Sequence, residues 1–240
     1  MNNATINFRE PVNEAIMQYL PGSNEARLLN DELQRQLNQK IEIPLIIGGK
    51  EIFTGIIKEV VIPHEHGHVL ARCHQASEKE VKMAVAAALK AKDQWMKLSW
   101  VDRSSIMLKA AELISTKYRY LINAATMLGQ GKNIMQAEID AVCESVDFLR
   151  FNSYFASQIY SSQPSSSNIA INRMEYRPLE GFVYTISPFN FTAIALNLNT
   201  SVVLMGNTTV WKPATTSVLS SYYLMKVLME AGLPDGVINF

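Results

Sequence analysis

The chain has 240 residues, of which 48% are hydrophobic and 18% charged, the composition of a folded globular protein and not of a disordered one. Lys plus Arg and Asp plus Glu number 22 each, so the formal charge is zero and neither nucleic acid nor a membrane surface is implied as a partner. The longest apolar run, 191–205, is interrupted by Asn197, Asn199, Thr200 and Ser201, which is too polar for a membrane-spanning helix.

The N-terminus "MNNATINFREPVNEA" has neither a secretory nor a transit pattern. Two cysteines, Cys73 and Cys143, make no disulfide framework and no zinc spacing. A cytoplasmic setting is expected (the mitochondrial matrix if a transit segment has been removed), and the Asn-x-Ser/Thr triplets at Asn3, Asn199 and Asn207 are then chance matches.

Residues 1–40 read as an N-terminal extension with one helix over Ser23 to Asn38, capped by Ser23. "IEIPLIIGGKEIFTG" reads as a hairpin turning at Gly48-Gly49, and "EVVIPHEHGHVLARCHQA" continues in strand character. Ser77, with Glu80 three residues on, is a capping-box pattern; it opens a helix with Val81, Val85, Ala88 and Trp95 at helical spacing. A second helix is marked by Ile106, Ala110, Leu113 and Ile114. A third starts near Ile134 and places Met135, Ile139, Val142, Val146 and Leu149 on one face.

After the polar loop "SSQPSSSN" come two strand-like pieces separated by Pro178. The text then alternates: a strand over 182–186, a helix over 193–204, a strand over 208–211, a helix over 218–231 and a strand from Val237. Gly232 and Pro234 stop the last helix. Such alternation predicts a parallel α/β sheet, with an open edge after "GVINF" where the pattern breaks off.

Ligands of open α/β sheets bind beyond the carboxyl ends of the strands, which directs attention to "TISPFNFTAIALNL" and "NTTVWKPATTS". Asn190 stands in an apolar setting, where an unpaired amide costs about 1–3 kcal/mol. Two readings are open: a helix N-cap, or an amide held for a ligand. Lys212, before Pro213, is either a ligand contact or a solvated strand end. No G-x-G-x-x-G occurs, and "GQGKN" at 129–133 reads as a helix-ending turn because the strand of a phosphate loop is lacking. His64, His66 and His68 share strand spacing, but no carboxylate or thiol completes a ligand set, so no metal is expected. Cys143 reads as a small core residue.

"SPFNFTAI", "MGNTTVWKPA" and "EAGLPDGVINF" resemble the aldehyde dehydrogenase superfamily in order and spacing. "GQGKNIMQAEID", "FLRFN", "PLEGF" and "HEHGH" look like its pyrroline-5-carboxylate dehydrogenase branch, and the likeness runs from about Pro11 to Phe240. The resemblance implies an aldehyde dehydrogenase-like fold: a partial Rossmann-like NAD-binding domain with a parallel sheet. Residues 41–167 would be its helical part, 168–178 an oligomerisation strand arm and 179–240 the first part of the sheet, with the catalytic domain outside the chain. It implies NAD as cofactor, a small-molecule aldehyde as substrate and a homo-oligomer.

By the same resemblance Asn190 supplies half of the oxyanion hole. Ile186, Ser187, Pro188 and Lys212 line the cofactor, and Phe191 and Glu144 line the aldehyde pocket. Thr215 departs from the pattern, standing where many relatives have a glutamate on the ribose hydroxyls, and neither Cys73 nor Cys143 matches the nucleophile motif. The implied reaction is oxidation of L-glutamate γ-semialdehyde to L-glutamate. The alternatives are an aldehyde dehydrogenase of other substrate range or a non-catalytic nucleotide-binding subunit.

Overall fold

The computed structural model describes residues 8–240; the first seven residues of the expected N-terminal extension lie outside them. After an irregular strap over 8–20, helix α1 (Asn24–Leu37) starts on Ser23, whose Oγ accepts from Ala26 N at 3.2 Å. Strands β1 (Ile41–Ile43), β2 (Leu45–Ile47) and β3 (Lys50–Ile52) follow, then β4 (Ile57–Ile62) and β5 (Glu65–His74). The β2–β3 hairpin turns on Gly48 and Gly49 at φ 57° and 76°. A side chain would strain both, and a Cβ at Gly49 would also strike the Asp235 carboxylate. β5 runs parallel to β1 and antiparallel to β4.

Helix α2 (Glu78–Trp95) opens on the expected Ser77–Glu80 capping box. Its buried face is Glu80, Ala84, Ala88 and Trp95, while Val81 is 49% exposed. Helices α3 (Trp100–Ser115) and α4 (Arg119–Gln130) come next. α4 has no sequence cap, and it buries Arg119 and Asn123 beside its apolar residues. It ends on Gly131 in the left-handed conformation, the helix-ending turn expected of "GQGKN".

The helix expected from Ile134 is interrupted. A short α5 (Ile134–Ala137) passes into a π-helical segment over Glu138–Glu144 and then into α6 (Ser145–Ser161). A π turn closes i→i+5 bonds and shifts the buried face by about one residue. Val142, Val146 and Leu149 are buried as expected, but Met135 and Ile139 are 38% and 40% exposed, their places taken by Ala137, Glu138 and Ala141.

Residues 162–182 carry no strand, so the strand arm expected at 168–178 is irregular within one chain. Within one chain this arm joins none of the described sheets. It folds on itself, with Met174 N donating to Gln163 Oε1 at 2.8 Å and Tyr176 Oη to Ser162 O at 3.0 Å.

Strands β6 (Val183–Ile186), β7 (Thr209–Lys212) and β8 (Ile238–Asn239) form a parallel sheet in that order. They are joined by α7 (Thr192–Leu204) and α8 (Val218–Glu230), which are right for βαβ crossovers. The open edge is not where the sequence placed it. Phe240 and Ile46 exchange both backbone bonds at 2.8 Å, so the β2–β3 hairpin closes the β8 side. Among the described residues β6 pairs only with β7, and its Tyr184 and Ile186 are 54% and 61% exposed.

α7 is apolar nearly all round and largely buried, as a core helix should be, so its orphan end groups need partners from elsewhere. At the C-terminal end Trp95 Nε1 donates to Val203 O and Arg103 Nε to Leu204 O, each at 2.8 Å. In the middle, buried Asn199 accepts from Thr185 and Thr209 hydroxyls at 2.7 and 3.1 Å. The helix is thereby tied to both neighbouring strands.

Candidate active site

Two groups of residues gather beyond the carboxyl ends of β6 and β7. In the first, Ile186 is the register partner of Lys212, so both side chains leave the same face of the sheet. Lys212 is exposed at the last position of β7. Next to it lies a cavity of about 540 Å³ lined by Lys212, Pro213, Thr215, Tyr184 and Val210 on the sheet side and by α2 opposite. Ser187 is buried: its N–H donates to Lys212 O at 3.3 Å and its Oγ accepts from Trp211 Nε1 at 3.0 Å. The Ser187–Pro188 backbone is thus fixed across the strand ends.

The second group surrounds the start of α7. Asn190 is exposed, not enclosed by core, which corrects the burial expected of it. Nor does it cap the helix. The N-cap position is Phe191, which has no capping side chain. The two leading N–H groups, of Thr192 and Ala193, donate instead to Asp140 Oδ2 and Oδ1, both at 3.1 Å. The N-cap reading of Asn190 is excluded, and among the described residues its amide is uncommitted.

The π segment supplies that carboxylate. Asp140 is buried and ion-paired with Lys132, whose ammonium lies 4.4 Å from the centre of the Phe191 ring, a cation–π contact. Glu144, half-buried at the end of the same segment, is held above the ordinary carboxylate range by burial, then by the nearby Asp140, with Lys132 opposing. Thr192 Oγ1 is held by Thr126 at 2.9 Å, Gln130 at 2.7 Å and Ser220 at 3.1 Å.

Asn190, Phe191 and Glu144 therefore group with Asp140 and Lys132, apart from the cavity beside Lys212. Asp140 and Lys132 were not singled out from the sequence as site residues. "GQGKNIMQAEID" contains both, yet eight positions separate them, and they meet only once the chain turns at Gly131 into α5.

Neither cysteine is poised as a nucleophile. Both are buried. Burial pushes the Cys73 thiol up to about 11, and burial with the adjacent Glu138 carboxylate pushes Cys143 up to about 12. The histidines go separate ways: His68 meets Leu37 O at 3.0 Å and buried His74 meets Glu42 at 2.7 Å, while His64 and His66 are exposed. Among the described residues no group of three His, Cys, Asp or Glu could hold a metal, and no helix is long and apolar enough to cross a membrane.

The family model described as "Aldehyde dehydrogenase family" matches residues 55–240. The chain is 49% identical over 238 residues to the Delta-1-pyrroline-5-carboxylate dehydrogenase, mitochondrial, of Dictyostelium discoideum, covering 99% of this chain and 43% of that protein. It is 56% identical over 210 residues to a probable enzyme of the same name from Schizosaccharomyces pombe, covering 87% and 38%. Among solved structures, the Delta-pyrroline-5-carboxylate dehydrogenase of Mycobacterium tuberculosis bound with NAD superimposes with a TM-score of 0.97 at 46% identity, covering 99% of this chain and 44% of that one. The chain thus spans less than half the length of these relatives. It belongs to the aldehyde dehydrogenase family.

Proposed function

We propose that this chain supplies the cofactor-holding sheet and the oxyanion amide of an NAD-dependent dehydrogenase that oxidises L-glutamate γ-semialdehyde to L-glutamate. The observation that carries the reading is the Asn190 amide, uncommitted at the β6–α7 turn because Asp140 does the capping. A donor kept free of internal partners, and fixed by its neighbours, suits an oxygen on which charge develops. The pyrroline-5-carboxylate dehydrogenase names of the relatives support the substrate; an aldehyde of another class is the second reading.

The residues present fit NAD. The cavity of about 540 Å³ beside Lys212 lies in the size range of ligand sites, and Lys212 offers a cation there. Lys212 and the Ser187–Pro188 backbone would hold the cofactor, with Ile186 beneath it. The chemistry that NAD supplies when bound is acceptance of a hydride. Asn190 donates to the oxygen of the adduct, Phe191 walls the aldehyde, and Glu144 sits near the reacting carbon. Thr215 carries no charge to repel a 2′-phosphate, so it gives no preference for NAD over NADP. The attacking thiolate belongs to residues outside this sequence, because Cys73 and Cys143 are buried and held protonated at neutral pH.

The exposed arm at 168–178, with Ile169 and Ile171 at 97% and 85% exposure, is assigned to pairing with a second copy of the protein. The setting is assigned to a reducing aqueous compartment, cytoplasm or mitochondrial matrix, since both cysteines are free.

Two results are expected. Residues 1–240 alone form no NADH from glutamate semialdehyde, and turnover surviving replacement of both cysteines would refute the missing-nucleophile step. In the full-length protein Lys212→Ala raises the dissociation constant for NAD about tenfold, the loss of one charged contact, with kcat little changed. A fall in kcat at unchanged NAD affinity would show that Lys212 does not hold the cofactor.

A further inference from the structure

Helix α7 begins without a cap of its own, at the place where the reacting groups gather. A helix start usually takes its cap from the residue just before it, but that residue is Phe191, and Asn190 is one position too early. The vacancy is filled from a different element. Asp140 spans the Thr192 and Ala193 N–H groups with its two oxygens at 3.1 Å each, and Lys132 pairs with Oδ2, the oxygen that accepts from Thr192, while covering the Phe191 ring at 4.4 Å. Asp140 is 3% exposed. A carboxylate that buried persists only because it is paired with a cation and satisfied by N–H donors.

Resting on the oxyanion reading of Asn190, we propose that Asp140, held by Lys132, is a positioning residue that caps α7 from outside, fixing Asn190 and Phe191 in place while leaving the amide free. Asp140 and Glu144 lie four residues apart within the π segment, so one stretch of helix presents both toward the start of α7, and π turns are frequent at functional sites. Asp140 touches no substrate; its effect on rate passes through Asn190.

The test is a double-mutant cycle in the full-length protein, with kcat and the KM for NAD measured for each variant. Asp140→Ala is expected to lower kcat about 10- to 100-fold, the scale of a small misplacement of a reacting group, with KM for NAD within about twofold. Asp140→Asn keeps one acceptor and should recover most of that loss. In an Asn190→Ala background, Asp140→Ala should cost less than about threefold more, because the two act as a unit. Additive losses, or a loss confined to NAD binding, would overturn the positioning role while leaving the oxyanion reading intact.

Asn190→Ala with near wild-type kcat would instead sink the oxyanion reading. Hydrogen exchange then decides the capping by itself. Asp140→Ala should speed exchange in the peptide spanning 190–195 more than tenfold, and Asp140→Asn should slow it again. Unchanged protection in both variants means that Asp140 does not hold this turn, and the inference fails.

Discussion

Asn190→Ala in the full-length protein is expected to lower kcat by about two to three orders of magnitude, or about 2.7–4 kcal/mol, with NAD affinity almost unchanged. The size follows from what the amide gives up. Its partners are not internal: the helix start is satisfied by Asp140 and the turn by Ser187, Thr192 and their neighbours. Removing the amide therefore leaves the fold alone, and only the charge that develops in the reaction loses a donor. Steady-state kinetics with a thermal melt as control would check this. A kcat within a few-fold of wild type would refute the role, and a large fall in melting temperature would show that the side chain serves the fold instead.

The second large effect is on stability. Arg119 is buried between α4 and the π segment, where it meets Glu138 and Glu14, and its Nη2 donates to Ala15 O at 2.8 Å. Glu138 also accepts from Met17 N at 3.0 Å, Tyr19 Oη at 2.7 Å and Asn123 at 2.7 Å. Through this network the strap at 13–19 is bound to the first residue of the π segment that carries Asp140 and Glu144. Arg119→Met would leave the fully buried Glu138 carboxylate with its cation removed, while Glu14 keeps Arg150 at 2.7 Å; breaking a buried pair in this way costs about 3–5 kcal/mol, a large share of a net stability of about 5–15 kcal/mol. Arg119→Lys would not restore it, because an ammonium lacks the fork that reaches several acceptors. A shift of the urea midpoint equivalent to less than 1 kcal/mol would contradict the prediction.

The same network has a pH signature. Burial opposes charge on Glu138, yet the hydrogen bonds from Arg119, Met17 N–H and Tyr19 outweigh it and hold the carboxyl below its ordinary value. A depressed folded value means that this stabilisation is complete above the unfolded carboxylate pKa. It is lost as pH falls through the folded one. Without Arg119 the folded value rises toward the unfolded one or past it, so Arg119→Met should lose less stability than wild type on acid titration, its deficit being largest near neutral pH.

Elements defined by local signals were legible in the chain. Ser23, the Ser77–Glu80 box, Gly48-Gly49 and the strand–helix alternation after Phe182 each act within a few residues, and each stands where the spacing placed it. What depended on distant partners was not legible. The π turn obeys no 3.6-residue period, so the face through Met135 and Ile139 came out turned toward solvent. α4 opens on no cap and buries Arg119 and Asn123, and no helix is expected there from the sequence. Asn190 lay in an apolar stretch yet is exposed, because Phe189 beside it also faces outward, at 67% exposure. The closing of the β8 side by Ile46 links residues nearly 200 positions apart. The strand arm expected at 168–178 pairs with none of the described strands within one chain. Asp140 and Lys132 were hidden for the same reason: each becomes meaningful only when the π segment meets α7.

The most direct measurement is NADH formation by the full-length protein with L-glutamate γ-semialdehyde, set against an aliphatic aldehyde of similar length that lacks the amino-acid end. The expected result is turnover of the semialdehyde with a kcat/KM at least about a hundredfold higher, since a site built to pair polar substrate groups rejects an analogue lacking them by large factors. Equal rates with both aldehydes would move the protein to a broader aldehyde dehydrogenase, and no NADH with either, from a folded protein that still binds NAD, would contradict the catalytic reading.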